Sequence, residues 1–238
     1  MTAQPLDPKG AAVREMFDRI AGRYGTMNRL MTFGRDGSWR RCVVREASLP
    51  TGGRLLDIAT GTGDIAFEAL RRVDGLLAVG ADFSVEMMRV GSHRPGGGDV
   101  AWCAADTLAL PFADASFEAV TSGYLLRNVT DPEAAFREQM RVVRPGGKVV
   151  CLDTSPPPAS PLRPFILFYL RRVIPLLGRF VAGDVEAYSY LTRSTEGFLS
   201  PGELSDVMEK AGLVDVRCRL FMFGTMAVHA GQRPGAPE

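Results

Sequence analysis

Two segments near the N-terminus have apolar residues at helical spacing, 11–24 and 38–49. After residue 54 the pattern changes, and short runs that are apolar on both faces alternate with helical stretches. The strand candidates are RLLDIA, LLAVGAD, DVAWCAAD, FEAVTSGY and GKVVCLD, and the helices between them are DIAFEALRRV, SVEMMRVGS and DPEAAFREQMRVV. Strands of this kind, separated by helices, need a parallel sheet covered on both faces. The pattern therefore predicts two helices followed by a doubly wound α/β domain.

The segment boundaries carry their own signals. The run Thr130-Asp131-Pro132-Glu133 offers an N-cap candidate followed by acids in the first helical turn, and Pro145-Gly146-Gly147 predicts a helix stop before the fifth strand. The run TSPPPASP indicates a linker, two helical stretches follow, and LVDVRCRLF and TMAVHAG predict a closing strand pair. We interpret residues 1–238 as one domain, with an N-terminal helical cap (1–50), a cofactor-binding core (51–153), a helical substrate lid (154–200) and a closing helix and strands (201–238).

Composition and charge exclude several classes of protein. The 238 residues are 46% hydrophobic, enough for one substantial core. Lys and Arg number 28 against 27 for Asp and Glu, so no net field attracts a nucleic acid partner. The four cysteines form no C-x-x-C pair, and neither a metal site nor a disulfide framework is expected. The first residues lack the pattern of a secretory signal, which favours a cytoplasmic protein.

The segment LLDIATGTGD, residues 55–64, lies where a parallel sheet binds ligands, between the first strand and a helix N-terminus. With the next residues it satisfies the loose G-x-G-x-x-G/A pattern of dinucleotide sites. However, Asp57 and Asp64 flank the turn, and acids suit a cationic or amino-bearing ligand better than a pyrophosphate. Asp82 ends the second strand, where a carboxylate accepts ribose hydroxyls, and Asp106 ends the third. Three strand-end acids favour S-adenosylmethionine.

Three further segments resemble the ubiquinone/menaquinone biosynthesis C-methyltransferases, the family of demethylmenaquinone methyltransferase. They are Tyr24-Gly25-Thr26-Met27-Asn28 with Met31-Thr32 and Trp39, then Leu126-Arg127-Asn128-Val129, and finally 141–148 with Asp153-Thr154-Ser155. The resemblance runs from about residue 16 to residue 231. It implies the seven-stranded, mostly parallel sheet of the class I, Rossmann-like S-adenosylmethionine-dependent methyltransferases, with N-terminal helices and a helical lid after the fifth strand.

The chain departs from the family pattern at several positions. This chain has Gly25 where the family usually has Asp, Asp36 where it has His, and Asp153 where it has Glu. It also has Gly123 and Leu125 where the family has Ser and Gly, respectively. By the resemblance, Thr62, Asp82, Asp106 and Thr107 carry over as cofactor contacts, and the usual serine contact is lost at Gly123. Together with the turn, the candidate cofactor-binding positions are Asp57, Gly61, Thr62, Gly63, Asp82, Asp106, Thr107 and Gly123.

The candidate catalytic residues are Arg127, Asn128 and Tyr24. The family methylates a reduced quinol, and its ring carbon becomes nucleophilic when a neighbouring hydroxyl loses a proton. Arg127 is too basic to take that proton, but its fixed charge can stabilise a phenolate or acidify a bound water. Asn128 can orient the water or the hydroxyl, and Tyr24 can close over the cofactor. The alternatives are an ion pair of Arg127 with Asp131 and a packing role for Tyr24.

Residues 161–182, PLRPFILFYLRRVIPLLGRFVA, are the most apolar stretch outside the sheet. Arg171-Arg172 and Pro175 interrupt it before the roughly 20 apolar residues that a membrane span needs. Between Thr154 and Gly183 there are arginines but no acid, the bias of a helix that lies on anionic headgroups. We therefore expect this segment to bind an isoprenoid tail and to contact the inner face of the cell membrane peripherally. The alternative is a lid with solvated arginines.

The leading hypothesis is the C-methylation of a polyprenylated demethylnaphthoquinol, demethylmenaquinol, to menaquinol. A benzoquinol of ubiquinone synthesis and another small aromatic acceptor stay open within the same class. From other classes, a nicotinamide-dependent oxidoreductase and a silent nucleotide-binding module stay open. The chain has only three lysines, Lys9, Lys148 and Lys210, and none forms the Tyr-x-x-x-Lys pair of a hydride site. The sequence leaves the oligomeric state, monomer or homodimer, undecided.

Overall fold

The computed structural model describes residues 8–235, in which a seven-stranded sheet is flanked by helices. Helices α1 (Pro8–Met31) and α2 (Asp36–Ala47) come first. The strands and helices of the core then follow in this order: β1 (Arg54–Ile58), α3 (Asp64–Leu70), β2 (Leu77–Asp82), α4 (Val85–Ser92), β3 (Val100–Ala104), β4 (Phe117–Gly123), α5 (Pro132–Val142) and β5 (Val143–Thr154). The sheet order is β3-β2-β1-β4-β5-β7-β6, and β7 (Met226–Gln232) runs antiparallel to β5 and to β6 (Val214–Phe221). The predicted doubly wound, mostly parallel sheet is confirmed.

Successive residues of the central strands supply two cores, one on each face of the sheet. In β1, Leu55 packs with Trp39 of α2, while its neighbour Leu56 packs with Phe136 of α5. All four side chains are at most 2% exposed. Burying an apolar side chain of this size stabilises the fold by roughly 1.5–3 kcal/mol. This alternation explains why the strands are apolar throughout, with no polar face.

Short polar side chains begin α4 and α5, the helices that follow β2 and β4. Ser84 caps α4 at Met87 N, and Asp131 caps α5 by accepting from the Ala134 backbone N–H at 2.9 Å, within the run 130–133 in which the sequence predicted a cap. The predicted helix stop at residues 145–147 lies instead inside β5, because α5 ends at Val142. The physical reason is that a proline disfavours helical backbone at the residue before it, here Arg144.

The segment after β5 forms further helices. The first is continuous and consists of α6 (Arg163–Phe168), a π-helical turn at Tyr169–Val173, α7 (Ile174–Leu177) and a second π-helical turn at Gly178–Ala182. We call residues 163–182 the lid helix. The first π turn precedes Pro175, which lacks an N–H and cannot continue regular α-helical bonding. Helix α8 (Val185–Glu196) and α9 (Pro201–Lys210) complete the fold.

Helix α1 packs against the lid helix, α8 and α4 in a third apolar cluster. It is also fixed to the end of β2, because the Ser84 hydroxyl donates to Asp18 at 2.5 Å. Within residues 8–235, no helix combines the length and the apolar character that crossing a membrane requires.

Candidate active site

A cavity of about 330 Å³ lies beyond the carboxyl ends of β1, β2 and β4 and is covered by α1. This is the edge where open α/β sheets bind ligands. Nine of the predicted site residues line it: Tyr24, Asp57, Gly61, Thr62, Asp82, Asp106, Thr107, Gly123 and Asn128. Two others, Gly63 and Arg127, lie behind its wall. The structure therefore brings most of the predicted positions together around one space.

Asp57 holds the shape of the turn after β1. Its side chain is completely buried and accepts from the hydroxyls of Thr60 at 2.6 Å and Thr121 at 2.7 Å. Burial raises its pKa to about 7, although these hydrogen bonds lower it. Asp64 on the other side of the turn pairs with Arg40 at 3.1 Å and Arg94 at 2.9 Å. The charge of Asp64 is thus compensated, and the two acids do not present the bare negative potential that the sequence argument assumed.

The two glycines of the turn serve different purposes. Gly61 has φ +55° and lines the cavity, where its backbone can approach a ligand closely. Gly63 has φ +83°, and a Cβ on it would lie 2.7 Å from the Trp102 ring. Gly63 is therefore required for packing between the turn and β3.

Asp82 presents a carboxylate to the cavity from the end of β2. Its oxygens accept from the backbone N–H of Gly61 at 2.7 Å and of Ser84 at 2.8 Å, and burial raises its pKa to about 6. Each carboxylate oxygen can accept a second hydrogen bond. The geometry therefore leaves acceptor capacity for a pair of ribose hydroxyls.

The wall after β3 supplies the other end of the cofactor region. Asp106 accepts from the Leu108 backbone N–H at 2.9 Å and faces the cavity. The buried Thr107 hydroxyl has no hydrogen-bond partner among residues 8–235. A buried hydroxyl without a partner in a cavity wall suits a polar ligand. With Asp82 and the glycine turn, these residues fit the nucleoside part of S-adenosylmethionine.

The end of β4 forms the opposite wall. A Cβ on Gly123 would lie 3.1 Å from Ile65 Cδ1, so the wall has little room for a larger residue there. Tyr124 follows with φ +59°, an uncommon conformation for a residue other than glycine. Its backbone N–H donates to Leu152 O at 2.7 Å, which anchors this turn to β5.

Arg127 pairs with Asp153 at 2.5 Å, and not with Asp131, the alternative partner considered from the sequence. Both side chains are at most 4% exposed. Burial lowers the Arg127 pKa, but the charge and hydrogen bond of Asp153, together with the nearby Tyr24 and Tyr124, outweigh it, so the pKa is raised and the charge is retained. The Arg127 guanidinium lies 5.3 Å from the Tyr124 ring centroid, and its buried Nε has no partner among residues 8–235. A fixed positive charge thus lies directly behind the cavity wall.

Tyr24 and Asn28 bring α1 into the site. Burial raises the pKa of Tyr24, and the side chain of Asn28, the charge of Arg127 and the charge of Arg40 lower it in part. Asn28 is 6% exposed and lines the cavity with Val13 and Phe17. These three residues and Arg40 were not predicted as site residues, because helical spacing does not reveal which side of a helix covers a distant site.

The strand order and the cavity at the β1/β4 switch point define a Rossmann-like methyltransferase fold. A solved S-adenosylmethionine-dependent methyltransferase of Thermotoga maritima superposes with a TM-score of 0.66 at 20% identity, over 93% of this chain and 99% of that one. The [4+2]-cyclase SpnF superposes with a TM-score of 0.64 at 16% identity, over 98% of both chains. Similarity at this level shows the fold alone.

Residues 6–233 match the model of the ubiE/COQ5 methyltransferase family, and the chain belongs to this family of S-adenosylmethionine-dependent methyltransferases. The ubiquinone/menaquinone biosynthesis C-methyltransferase UbiE of Desulfotalea psychrophila is 49% identical over 94% of this chain and 91% of its own. The demethylmenaquinone methyltransferase of Roseiflexus castenholzii is 46% identical over 97% of each chain, and that of Thermus thermophilus is 42% identical over 92% of this chain and all of its own.

Proposed function

We propose that this protein transfers a methyl group from S-adenosylmethionine to a ring carbon of a polyprenylated demethylnaphthoquinol. The observation that carries the proposal is one cavity lined by two chemically different groups. The ends of β1 and β2 contribute the Gly61 turn and Asp82, which we call the cofactor end, and the segment after β4 contributes Asn128 in front of Arg127, which we call the acceptor end. The names of the relatives support the naphthoquinol as the acceptor.

The cofactor end is built to hold a nucleoside and to exclude water. The cavity-lining residues would hold it as follows: Asp82 would accept the ribose hydroxyls, Thr107 and Asp106 would bind the base, and Phe17 and Tyr24 of α1 would cover the ligand. When bound, S-adenosylmethionine supplies an electrophilic methyl group on a positively charged sulfur. The protein accelerates the transfer mainly by holding the acceptor at attack distance in a water-free site.

The acceptor end stabilises negative charge on a quinol oxygen. The buried Arg127 keeps its proton, so it acts through its charge and leaves the base role to a water or another group. Because Arg127 lies behind the cavity wall, beside the Tyr124 ring, its charge acts on the phenolate through space and not through a direct hydrogen bond. Only the reduced quinol has a hydroxyl to ionise, and methyl transfer therefore requires a reductant.

The test compares Arg127→Leu with Arg137→Leu, a matched change at an exposed arginine of α5. We expect Arg127→Leu to lower kcat by about 100-fold or more while the affinity for S-adenosylmethionine changes little, the pattern of an interaction made in the transition state. Arg127→Lys, which keeps the charge, should retain part of the activity. Circular dichroism verifies folding of each variant. A defect confined to cofactor binding, or full activity without reductant, would contradict the mechanism.

We also propose that the lid helix binds the isoprenoid tail and lies on an anionic membrane surface. Its inner side packs on α1 and α8 through Ile174 and Leu177. Its outer side exposes further large apolar side chains, including Phe165 (73%), Phe168 (63%) and Phe180 (76%). A helix that is apolar on its solvent side suits a lipid interface.

The charges of the lid helix support the same surface. Arg172 and Arg179 have no carboxylate partner within residues 8–235, and the segment contains no acid. Arginines beside exposed aromatic residues favour anionic headgroups.

Vesicle flotation tests the membrane surface. We expect the protein to float with anionic but not with neutral vesicles at low salt. Flotation should be lost in the double variant Phe165→Asp/Phe168→Asp and kept in Phe223→Asp, which changes a 73% exposed phenylalanine outside the lid helix. Equal flotation of both variants would remove the membrane claim, and an undiminished preference for long-tailed acceptors would remove the tail claim.

A further inference from the structure

A hydrogen bond connects α8 to the candidate active site. The Tyr190 hydroxyl donates to Asn128 Oδ1 at 3.0 Å, and Asn128 lines the cavity. None of the residues that line the cavity comes from the described segment 155–200. This bond is therefore a route by which the helices after β5 can act on the site without entering it.

The orientation of the Asn128 amide is fixed from its other end. Asn128 Nδ2 donates to the Tyr124 backbone carbonyl at 2.8 Å. A carbonyl only accepts hydrogen bonds, so the amide nitrogen must face Tyr124 and the amide oxygen must face Tyr190. Tyr190 is accordingly the donor in its bond to Asn128.

Both anchors of this amide belong to rigid parts of the fold. Tyr124 is held by its left-handed backbone and its bond to Leu152 O. Helix α8 is held at its start by Asp184, which caps Ala187 N at 2.9 Å and pairs with Arg19 of α1 at 3.2 Å. Tyr190 therefore reaches Asn128 from a helix that is tied to the cover of the cavity.

Close packing fixes the other side of α8. The side chain of Tyr188 is completely buried against the lid helix. A Cβ on Gly178 would lie 2.5 Å from the Tyr188 ring, so the two helices are in backbone-to-ring contact at this point. The position of the Tyr190 hydroxyl is thus determined by the packing of the lid helix.

We propose that Tyr190 is a positioning residue that holds Asn128 with its second Nδ2–H available to an oxygen of the acceptor. The inference rests on the proposed function, since it assigns a task to Asn128 in that site. Tyr190 occupies one lone pair of the amide oxygen and Tyr124 takes one N–H, so the remaining amide N–H is the donor that can bind a developing phenolate. Without Tyr190, the amide keeps one anchor and can turn.

The first test is Tyr190→Phe, which removes the hydroxyl and keeps the ring. We expect kcat to fall roughly tenfold, the effect of losing one orienting hydrogen bond, with unchanged KM and Kd for S-adenosylmethionine. The matched control is Tyr188→Phe on the same helix, whose buried hydroxyl has no hydrogen-bond partner among residues 8–235 and does not contact Asn128. The control should keep kcat within about twofold. Equal losses in the two variants would indicate general loosening and overturn the inference.

The second test asks whether Tyr190 acts through Asn128. In an Asn128→Ala background, Tyr190→Phe should cause no further loss of kcat, because the residue that it orients is gone. Losses that multiply in the double variant would show that Tyr190 acts independently of Asn128 and would contradict the proposal. An unchanged kcat in Tyr190→Phe alone would contradict it as well.

A third measurement does not depend on activity. The side-chain amide signals of Asn128, assigned in ¹⁵N-labelled protein by their absence in Asn128→Ala, should shift or broaden in Tyr190→Phe and stay in place in Tyr188→Phe. Unmoved signals in Tyr190→Phe would overturn the positioning role. A wild-type protein that shows the expected signals but methylates no quinol would instead refute the proposed function and leave the positioning of Asn128 standing.

Discussion

Replacing Asp153 by alanine removes the only carboxylate that faces the buried Arg127 within the described residues. Asp153 is 1% exposed and accepts from Arg127 Nη1 at 2.5 Å, from Leu126 N at 2.9 Å and from Thr154 N at 2.8 Å. Breaking a buried pair on one side costs about 3–5 kcal/mol, because the remaining charge stays buried without a partner. The free backbone N–H groups add to this cost. We therefore expect Asp153→Ala to lower the free energy of unfolding by about 3–5 kcal/mol.

The structure offers a matched control at the surface. Asp114 pairs with Arg141 at 2.7 Å, but its side chain is 73% exposed. Asp114→Ala should therefore cost no more than about 1 kcal/mol. Urea unfolding followed by the fluorescence of Trp39 and Trp102 gives both values. Costs that agree within about 0.5 kcal/mol would show that burial of the Arg127 pair has no energetic consequence and would refute the reasoning.

Three further predictions follow from the turn and from β2. Because burial raises the pKa of Asp82 to about 6 and ribose hydroxyls favour the carboxylate, calorimetry should show affinity for S-adenosylmethionine rising between about pH 5 and pH 7, and Asp82→Asn should flatten this rise. Ala59 has φ +49°, so Ala59→Gly should stabilise the protein by roughly 0.5–1 kcal/mol, whereas Ala12→Gly in exposed α1 should cost about 1 kcal/mol in urea unfolding. Gly63→Ala should cost more than about 2 kcal/mol because of Trp102 and its positive φ, and a fully stable variant would contradict the contact.

The central strands could be predicted from the sequence because they are buried on both faces. RLLDIA and GKVVCLD correspond to β1 and to the second part of β5. A cap within residues 130–133 could also be predicted, because the side chain of a capping residue, here Asp131, bonds to a residue only three positions away. The helical pattern extended α5 to Val143, one residue too far, because apolar spacing alone does not show that the backbone of Val143 is already extended.

The cluster of site residues could be predicted because strand ends in a parallel sheet meet at one edge. The ion-pair and hydrogen-bond partners of these residues could not be predicted. Arg127 and Asp153 are 26 residues apart and Asn128 and Tyr190 are 62 apart, and only the packed structure brings them together. The charge of Asp64 was misjudged for the same reason, since Arg40 and Arg94 neutralise it from α2 and from the loop after α4.

The most direct test of the central claim offers the purified protein labelled S-adenosylmethionine with three acceptors: a demethylnaphthoquinol, a benzoquinol of equal tail length and a small phenol. Dithionite keeps the quinols reduced, and mass spectrometry and NMR locate the label. We predict label on a ring carbon of the naphthoquinol, with far less on the other acceptors and none when dithionite is omitted. Label on an oxygen or a nitrogen, equal transfer to the oxidised quinone, or no transfer to any quinol by a protein that binds the cofactor would contradict the proposed function.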